Sequence, residues 1–425
     1  MKELAKRFVA AVLGRQVRAL HKRNRFQIIA VGGSVGKTST KLAIADVLKA
    51  KYRVCYQDGN YNDLVSVPLI FFGEKLPNLM NPLSWLAIFW RNHKQIGKPY
   101  PFDIVVVEVG TDAPGQIRDF NAYLKADIGV LTGITPEHMA SFADLGAVAK
   151  EELGLIEFSK NLIYNKDLCA AEYMDNLNVS KLSYGLEPPA DFQSVNIKYS
   201  EDKCDFEVLR GGKNFMKAAN ELVSEPQLYS VTAAIAVSAQ LGMTAEEIGK
   251  GLHNIGPVNG RMRRLKGIHG SLILDDTYNA SPEAMHAALK TLYRIPGKHK
   301  IALLGNMNEL GSYSAAEHRA IGAACDPAKL DLVITVGPDA NTHLAAAAKA
   351  RGCEVSTFED PYRAGEFIKG QVKGGTIILA KGSQNGVFAE EALKPLLADQ
   401  ADCKLLVRQS PQWLRAKTIS FGGRT

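Results

Sequence analysis

The feature that most constrains this chain is a glycine-containing string between an apolar run and a helix-like stretch. Residues 33–39 read Gly-Ser-Val-Gly-Lys-Thr-Ser, the apolar run is Phe26–Val31, and the helix-like stretch is Lys41–Ala50. A strand, a glycine turn and a helix N terminus in this order form a phosphate cradle, because the first N–H groups of the helix and its dipole attract anions. The string therefore predicts a P-loop that binds a nucleotide.

The residues of the P-loop have distinct expected parts. Lys37 supplies positive charge to the terminal phosphates, and the hydroxyl of Thr38 is placed to bind Mg²⁺. The remaining residues that line the predicted cradle are Gly33, Ser34, Val35, Gly36 and Ser39. The broad P-loop pattern has a further glycine where this chain has Val31, so the loop is a shortened form.

Length and composition set the class of protein. A chain of 425 residues is expected to hold two or three domains. Its six cysteines are scattered without any Cys-x-x-Cys pair, which argues against a zinc site or a disulfide framework and favours the cytoplasm. No run of 18 apolar residues occurs, so the sequence predicts no membrane span.

The N terminus is basic. Much of the net charge of +7 lies in residues 1–25, where lysines and arginines interleave with apolar residues, and this pattern predicts a basic amphipathic helix that can lie on anionic lipid. Residues 79–90, which include Trp85 and Trp90, add an aromatic contact in this hypothesis. The alternative is that both segments pack on the protein itself. Nucleic-acid binding is not predicted, because the basic residues cluster in one short helix.

The chain alternates apolar strand candidates with helical stretches, which predicts an α/β fold with parallel βαβ units. Residues 190–223 break this rhythm with short polar segments and predict a small β insertion. The alternation restarts near residue 265. We therefore predict a central P-loop domain with a mostly parallel sheet at 26–264, followed by a Rossmann-like α/β domain at 265–425.

Two further polar residues follow predicted strands. Glu108 ends the strand Ile104–Glu108, and its carboxylate can complete the coordination of the Mg²⁺ near Thr38. The alternative is an ordinary solvated glutamate. His138 lies in the loop after the next strand, and a neutral imidazole there can bind a second divalent ion. A lone loop histidine usually has no such role.

Seven strings occur in an order that resembles the Mur ligase family. They are Gly33–Ser39, Glu108–Gly110, Thr135–His138, Gly260–Met262, Leu274–Pro282, Leu304–Gly311 and Lys381–Ser383. The fifth and sixth are the most specific, and the resemblance runs from about residue 26 to 397. The nearest branch adds D-alanyl-D-alanine to the UDP-muramoyl tripeptide, and its substrate-side loop resembles Gly59–Asn62.

The resemblance implies ATP-dependent formation of an amide bond in peptidoglycan biosynthesis. A substrate carboxylate attacks the γ-phosphate to give an acyl phosphate and ADP, and an amine then attacks the acyl carbon and releases phosphate. The implied cofactors are ATP and Mg²⁺, with two metal sites. The implied substrates are an anionic, peptide-bearing molecule and an amino acid or dipeptide. We expect a cytoplasmic monomer.

Family positions imply a role for each candidate. Lys37 holds phosphates, Thr38 and Glu108 bind the first Mg²⁺, and His138 binds the second ion. Arg261 meets phosphate when the domains close. The positions implied to bind nucleotide, amine or substrate are Asp276, Asn279, Lys381, Asn60 and Asn62. Ordinary loop polarity is the alternative for each residue of the last domain.

The first departure from the family concerns a charge. The family usually carries a lysine, carbamylated by CO₂, some fourteen residues after the histidine, and this count leads here to Glu152. We predict that the permanent charge of Glu152 replaces the carbamate and makes the enzyme independent of CO₂. The alternatives are a shifted register that carbamylates Lys150, or a solvated helix face.

Two other departures concern the ligands. Tyr229 lies where relatives often have an asparagine that reads adenine, and it can contact the base or belong to the core. Only about 25 residues precede the first strand, where the family usually has a UDP-binding domain. One alternative is therefore a Mur-type ligase for a lipid-linked or other non-UDP carboxylate, with residues 1–25 and 79–90 at the inner face of the membrane. The other is a non-ligase ATP-binding partner subunit.

Overall fold

The computed structural model describes residues 2–57, 59, 61–200, 203–222 and 224–422. Cα packing divides the chain into two units. The first comprises Met1–Thr135, Ser141–Leu222 and Gln227–Gly256, and the second comprises Pro136–Ala140, Val223–Pro226 and Pro257–Thr425. The domain limits given above remain a prediction beside this division.

The first unit is built on a nine-stranded sheet. Its strands are β1 Gln27–Gly32, β2 Val54–Cys55, β3 Ile104–Glu108, β4 Ala126–Leu131, β5 Ser159–Asn165, β6 Ser180–Gly185, β7 Phe192–Tyr199, β8 Cys204–Arg210 and β9 Lys213–Asn220. They lie in the order β2-β3-β1-β4-β5-β6-β7-β8-β9. Neighbours from β2 to β7 are parallel, and β7, β8 and β9 form an antiparallel meander. The predicted fold class is confirmed, and the β insertion extends the main sheet.

Helices cover both faces of this sheet. They are α1 Lys2–Arg23, α2 Lys37–Leu48, α3 Ser66–Ile70, α4 Pro82–Ile96, α5 Gln116–Asp119, α6 Leu145–Glu152, α7 Ala171–Met174, α8 Glu225–Gln240 and α9 Ala245–Leu252. Side chains of β1 alternate between the two faces, so that Ile29 and Val31 pack with α2, α8 and α9. Ile28 and Ala30 pack with α1, α3 and α5. A strand buried on both faces is expected to be a continuous apolar run, as β1 and β3 are.

The second unit contains a six-stranded sheet. Its strands are β10 Arg263–Lys266, β11 Leu272–Asp276, β12 His299–Gly305, β13 Leu332–Val336, β14 Val355–Phe358 and β15 Thr376–Lys381, in the order β10-β11-β15-β12-β13-β14. Only β10 is antiparallel to its neighbour. The helices are α10 Pro282–Arg294, α11 Ser314–Ala324, α12 Ala345–Ala350, α13 Pro361–Gln371 and α14 Pro411–Ser420. The sequence did not predict β10 and β14, which are short edge strands with few apolar residues.

A buried group of charges fastens α14 to this unit. Lys417 Nζ, which is fully buried, lies 2.8 Å from Glu390 Oε1 and 2.6 Å from Glu391 Oε1. Arg408 pairs with Glu390 at 2.5 Å and donates to the carbonyl oxygens of Thr277 at 2.6 Å and Tyr278 at 2.9 Å. Burial acts to raise the pKa of Glu391, but hydrogen bonds from Lys394 and Lys417 outweigh it, and the net pKa is lowered. The C-terminal segment thus holds the loop that follows β11.

Asp275, at the end of β11, is a less favourable buried charge. Its Oδ1 accepts hydrogen bonds from Thr277 N at 3.1 Å and Thr277 Oγ1 at 2.6 Å, whereas Oδ2 has no partner among the described residues. Burial raises the pKa of Asp275 to about 6, although the Thr277 hydrogen bonds oppose the rise. Its charged form therefore destabilises the folded state near neutral pH.

We expect Lys417→Met to destabilise the second unit strongly. Removing one member of a buried ion group leaves the carboxylates of Glu390 and Glu391 short of compensation, which costs about 3–5 kcal/mol. In a thermal unfolding scan, Tm should fall by roughly 6–20 °C. Arg415→Met, which removes an exposed cation from the same helix, is the matched control. Equal Tm values for the two variants would contradict the assignment.

We expect Asp275→Asn to stabilise the protein increasingly as pH rises. The pKa of Asp275 is about 6 in the folded state, above the usual 3.8. The contribution of Asp275 to wild-type stability is therefore complete below pH 3.8 and is lost as pH rises through 6. The advantage of the variant should grow by ~2 kcal/mol between pH 4.5 and 7.5, because one pKa unit corresponds to about 1.4 kcal/mol. Denaturant unfolding across this range measures it. A pH-independent difference would be the contrary result.

Candidate active site

The P-loop follows β1 and leads into α2. Gly33 has φ 119° and Gly36 has φ 79°, and both values lie in the left-handed region that favours glycine. A Cβ atom on Gly33 would stand 2.8 Å from the backbone nitrogen of Thr132, so a larger residue does not fit. Gly36 is the N-cap of α2, and no described side chain caps this end. The backbone N–H groups at the start of α2 therefore suit an anion.

Thr38 and Glu108 meet at the carboxyl ends of two adjacent strands. Val31 of β1 is in register with Glu108 of β3, which brings the end of β3 beside the P-loop. Thr38 Oγ1 donates to Glu108 Oε1 at 3.2 Å, and Glu108 is 1% exposed. The solvated alternative for Glu108 is therefore wrong. Lys37 Nζ donates to the carbonyl oxygen of Gly33 at 2.6 Å, so its ammonium group lies over the loop.

Lys41 is a member of this cluster that the sequence did not reveal. Its side chain is buried, and Nζ lies 3.3 Å from Glu108 Oε2 and donates to the carbonyl oxygen of Gly59 at 2.7 Å. Asn62 Nδ2 donates to Glu108 Oε1 at 3.4 Å. Gly59 and Asn62 thereby lie beside the P-loop. A lysine one turn after Lys37 on a buried helix face was the available signal.

The cluster fits a divalent cation. A buried carboxylate and a neighbouring hydroxyl are oxygen ligands of the kind that Mg²⁺ takes, usually together with phosphate oxygens and water. Glu108 Oε2 has no geometrically acceptable hydrogen bond among the described residues, although Lys41 balances its charge. Thr38 and Glu108 are thus suited to hold the metal.

Glu152 points at the P-loop. It ends α6, which Asp144 begins by accepting a hydrogen bond from Ala147 N at 2.8 Å. Glu152 is 2% exposed, and its Oε2 accepts a hydrogen bond from Gly33 N at 2.8 Å. The solvated-face alternative is therefore wrong for Glu152. Lys150, the other candidate for an anionic group, is exposed.

His138 lies in the second unit, where it contacts Glu309. Its Nδ1 is 2.6 Å from Glu309 Oε2, and both residues have positive φ, 52° and 65°. The hydrogen bond from His138 lowers the pKa of the Glu309 carboxyl. Glu309 belongs to one of the two most specific strings, but the sequence assigned it no role. The contact between residues 171 positions apart in sequence could be found only in the fold.

The remaining candidates of the second unit come together where β11 and β15 end in register. Lys381 Nζ is 2.6 Å from Asp276 Oδ2 and 2.9 Å from the carbonyl oxygen of Asn279. Asp276 Oδ1 also accepts from the backbone N–H of Met262 at 3.0 Å. Arg261, the residue before Met262, stacks on the ring of Tyr278, and its Cζ lies 4.2 Å from the ring centroid. The four candidates Arg261, Asp276, Asn279 and Lys381 thus lie in one group of contacts.

Two candidates from the first unit remain. Tyr229 is partly buried against the core, and its hydroxyl donates to Asp167 Oδ2 at 3.0 Å. Ser230, the next residue, is 3.1 Å from Thr40 of α2, so Tyr229 lies close to the helix that begins at the P-loop. Asn60, predicted to bind substrate, lies outside the described residues.

Comparisons with known proteins give the family. The model of the Mur ligase middle domain matches residues 31–238, and that of the Mur ligase glutamate ligase domain matches residues 260–384. The UDP-N-acetylmuramoyl-tripeptide–D-alanyl-D-alanine ligase of Bacillus subtilis is 28% identical over 376 residues, which cover 87% of this chain and 76% of that protein. The enzyme of the same name from Synechocystis is 28% identical over 383 residues, or 89% of this chain and 76% of that protein.

Solved structures share the fold. The MurF ligase of Thermotoga maritima in complex with ADP matches with a TM-score of 0.75 at 24% identity. The match covers 91% of this chain and 83% of the Thermotoga chain. A folylpolyglutamate synthase of Mycobacterium tuberculosis, complexed with ADP and AMPPCP, has a TM-score of 0.63 at 18% identity, with coverage of 87% and 92%. The family models together match more than half of the chain. The predicted resemblance is confirmed, and this chain belongs to the Mur ligase family.

Proposed function

We propose that this chain is an ATP-dependent ligase that joins a carboxylate to an amine and releases ADP and phosphate. The observation that carries the proposal is the cluster at the end of β1 and β3, where Lys37, Thr38 and Glu108 surround a glycine loop at a helix N terminus. The family and the names of its relatives support the same reaction. Without these charges a P-loop fold could be only a scaffold, so their retention disfavours a non-ligase partner subunit.

The reaction must bring two anions together. The substrate carboxylate attacks the γ-phosphorus, the bond to the ADP oxygen breaks, and an acyl phosphate forms. The amine then attacks the acyl carbon, loses a proton, and phosphate leaves with the electron pair of the broken C–O bond. Lys37 and the N terminus of α2 hold the phosphates and offset their charge. A bound Mg²⁺ would neutralise further phosphate charge, and Thr38 and Glu108 would hold it.

A second metal site is proposed at His138. A carboxylate that accepts the Nδ1 proton fixes the tautomer of a histidine and directs the other ring nitrogen to a metal, as commonly occurs in metal sites. The contact of Glu309 with His138 Nδ1 supports this role. We propose that Glu152 is the fixed anion of the P-loop, in place of a carbamylated lysine.

We propose that the second unit supplies the amine-side and nucleotide contacts. Lys381 and Arg261 are the cations proposed to make these contacts. Asp276 and Asn279 set the position of Lys381. Tyr229 and Asn62 are proposed to contact adenine and substrate. Because the relatives are named for D-alanyl-D-alanine addition, we propose this dipeptide as the amine and a UDP-linked tripeptide as the carboxylate. A lipid-linked carboxylate is the alternative. The proposed setting is a monomeric enzyme in the cytoplasm.

We expect phosphate release from ATP only when both substrates are present. The assay combines ATP and Mg²⁺ with a UDP-linked tripeptide, a lipid-linked tripeptide or no acceptor, each with and without D-alanyl-D-alanine. Lys37→Met should lower the rate by at least ~100-fold, because it removes a fixed charge that stabilises the transferring phosphate. A rate of phosphate release that is the same with and without both substrates would contradict the assignment as a ligase. If phosphate were released with the lipid-linked tripeptide plus D-alanyl-D-alanine but not with the UDP-linked tripeptide plus D-alanyl-D-alanine, the lipid-linked carboxylate would be the substrate.

We expect Glu152→Gln to lower kcat by at least ~10-fold, since the amide keeps an acceptor for Gly33 N but removes the negative charge. Lys150→Arg is the matched control, because it changes the neighbouring exposed residue and prevents carbamylation there. The activity of the wild type should not change in bicarbonate-depleted buffer. If Lys150→Arg abolished activity while Glu152→Gln did not, the carbamylated-lysine alternative would be correct.

A further inference from the structure

Exposed apolar side chains are concentrated in two segments of the first unit. Eleven large apolar residues are exposed among the described residues, and seven of them lie in α1 or between residues 76 and 90. Leu4 and Phe8 are on α1. The other five are Leu76, Met80, Leu83, Leu86 and Trp90. Single exposed apolar residues are ordinary, but a concentration of this kind marks a surface that contacts something.

The helix α4 has two apolar faces. Trp85 and Ile88 point inward and pack with Val9 and Leu13 of α1. Leu83, Leu86 and Trp90 recur at helical spacing on the opposite face, and they are 76%, 63% and 58% exposed. The inward face alone accounts for the packing of α4 on the protein. The outward face therefore needs a separate explanation, and the alternative that these segments merely pack on the protein is incomplete.

The exposed parts of α1 and α4 lie at the same end of the helix pair. Gln16 Nε2 donates to the carbonyl oxygen of Phe89 at 2.8 Å, and Asn92 Nδ2 donates to Gln16 Oε1 at 3.0 Å. Further along, Tyr100 N donates to Asn24 Oδ1 at 3.0 Å. Both chain segments thus advance in the same direction. The N-terminal half of α1, with Leu4 and Phe8, accompanies the N-terminal half of α4.

Basic residues accompany this apolar surface. Residues 1–25 contain eight lysines and arginines against one acidic residue, and residues 74–98 contain four against one. The whole chain has a net charge of only +7, so the remainder is net acidic. Arg91 is already paired with Glu74 at 2.6 Å, but Lys94 Nζ lies 3.5 Å from the ring centroid of Trp90, beside the outward face. Positive charge thus lies next to the exposed tryptophan.

We infer that the α1–α4 surface docks on an anionic lipid bilayer. The apolar side chains, including the tryptophan, can enter the boundary between headgroups and acyl chains. The flanking lysines and arginines can contact the lipid phosphates. None of the helices described here has the length and apolarity needed to cross a bilayer. In this proposal the helix pair lies along the interface, with its apolar side chains toward the lipid. A second copy of the chain would bring two basic surfaces together, which disfavours it as the occupant.

The test is flotation of the full chain with vesicles of phosphatidylcholine plus phosphatidylglycerol, beside vesicles of phosphatidylcholine alone. We expect binding to the anionic vesicles, at least ~10-fold weaker binding to neutral ones, and loss of binding near 1 M salt, where the Debye length is ~3 Å. Trp90 fluorescence should shift to the blue, because the indole leaves water. Equal or absent binding to both vesicles would overturn the inference.

Two variant sets separate the lipid from other occupants. Leu83→Gln/Leu86→Gln/Trp90→Gln should weaken vesicle binding by at least ~10-fold, because it removes the apolar contact and leaves the buried face intact. Leu414→Gln/Ile419→Gln, which changes exposed apolar residues of α14, should bind as the wild type does. Both should retain the wild-type Tm and phosphate release with water-soluble substrates. Light scattering that shows a dimer, abolished by the triple variant in the absence of vesicles, would assign the surface to a second copy and overturn the lipid proposal.

Discussion

The arrangement of the first unit depends on one buried carboxylate. Glu108 is removed from water, and burying an ionised group is costly unless partners compensate it. Its partners come from separate parts of the chain, because Thr38 and Lys41 lie on α2 and Asn62 lies in the loop after β2. The carboxylate therefore fixes the start of α2 and Asn62 relative to the end of β3. The contacts of Glu108 thus hold the start of α2, which follows the P-loop, against the end of β3.

The parallel sheet explains why so much of this could be predicted. Parallel strands end on one edge of a sheet, so polar residues that follow apolar runs are brought together whatever the helices between them do. The P-loop after β1 and Glu108 at the end of β3 follow this rule, and so do Asp276 and Lys381 at the ends of β11 and β15. The runs themselves were recognisable because strands covered on both faces are apolar throughout.

The unpredicted parts are those that depend on distant partners. Lys41 is an ordinary helical lysine until Glu108 is placed beside it, and Arg408 has no local pattern that links it to the loop after β11. Glu309 lay in a recognisable string, but its contact with His138 joins two loops far apart in sequence. The apolar and aromatic character of α4 was visible in the sequence. Only the packing of Trp85 shows which side of the helix faces the protein and which side is exposed. Local propensity carries no information about such pairings.

The position of Glu152 gives the proposed replacement of the carbamate a physical basis. A carbamate forms on a neutral lysine and depends on dissolved CO₂, whereas a glutamate is a carboxylate without any such modification. A glutamate is shorter, so its backbone must come closer to the loop that it serves. Here the end of α6 is near enough for Glu152 to accept a hydrogen bond from Gly33 N directly. Because Gly33 also begins the phosphate cradle, a charge at residue 152 acts on the same backbone that is proposed to hold ATP, and its loss should change catalysis more than folding.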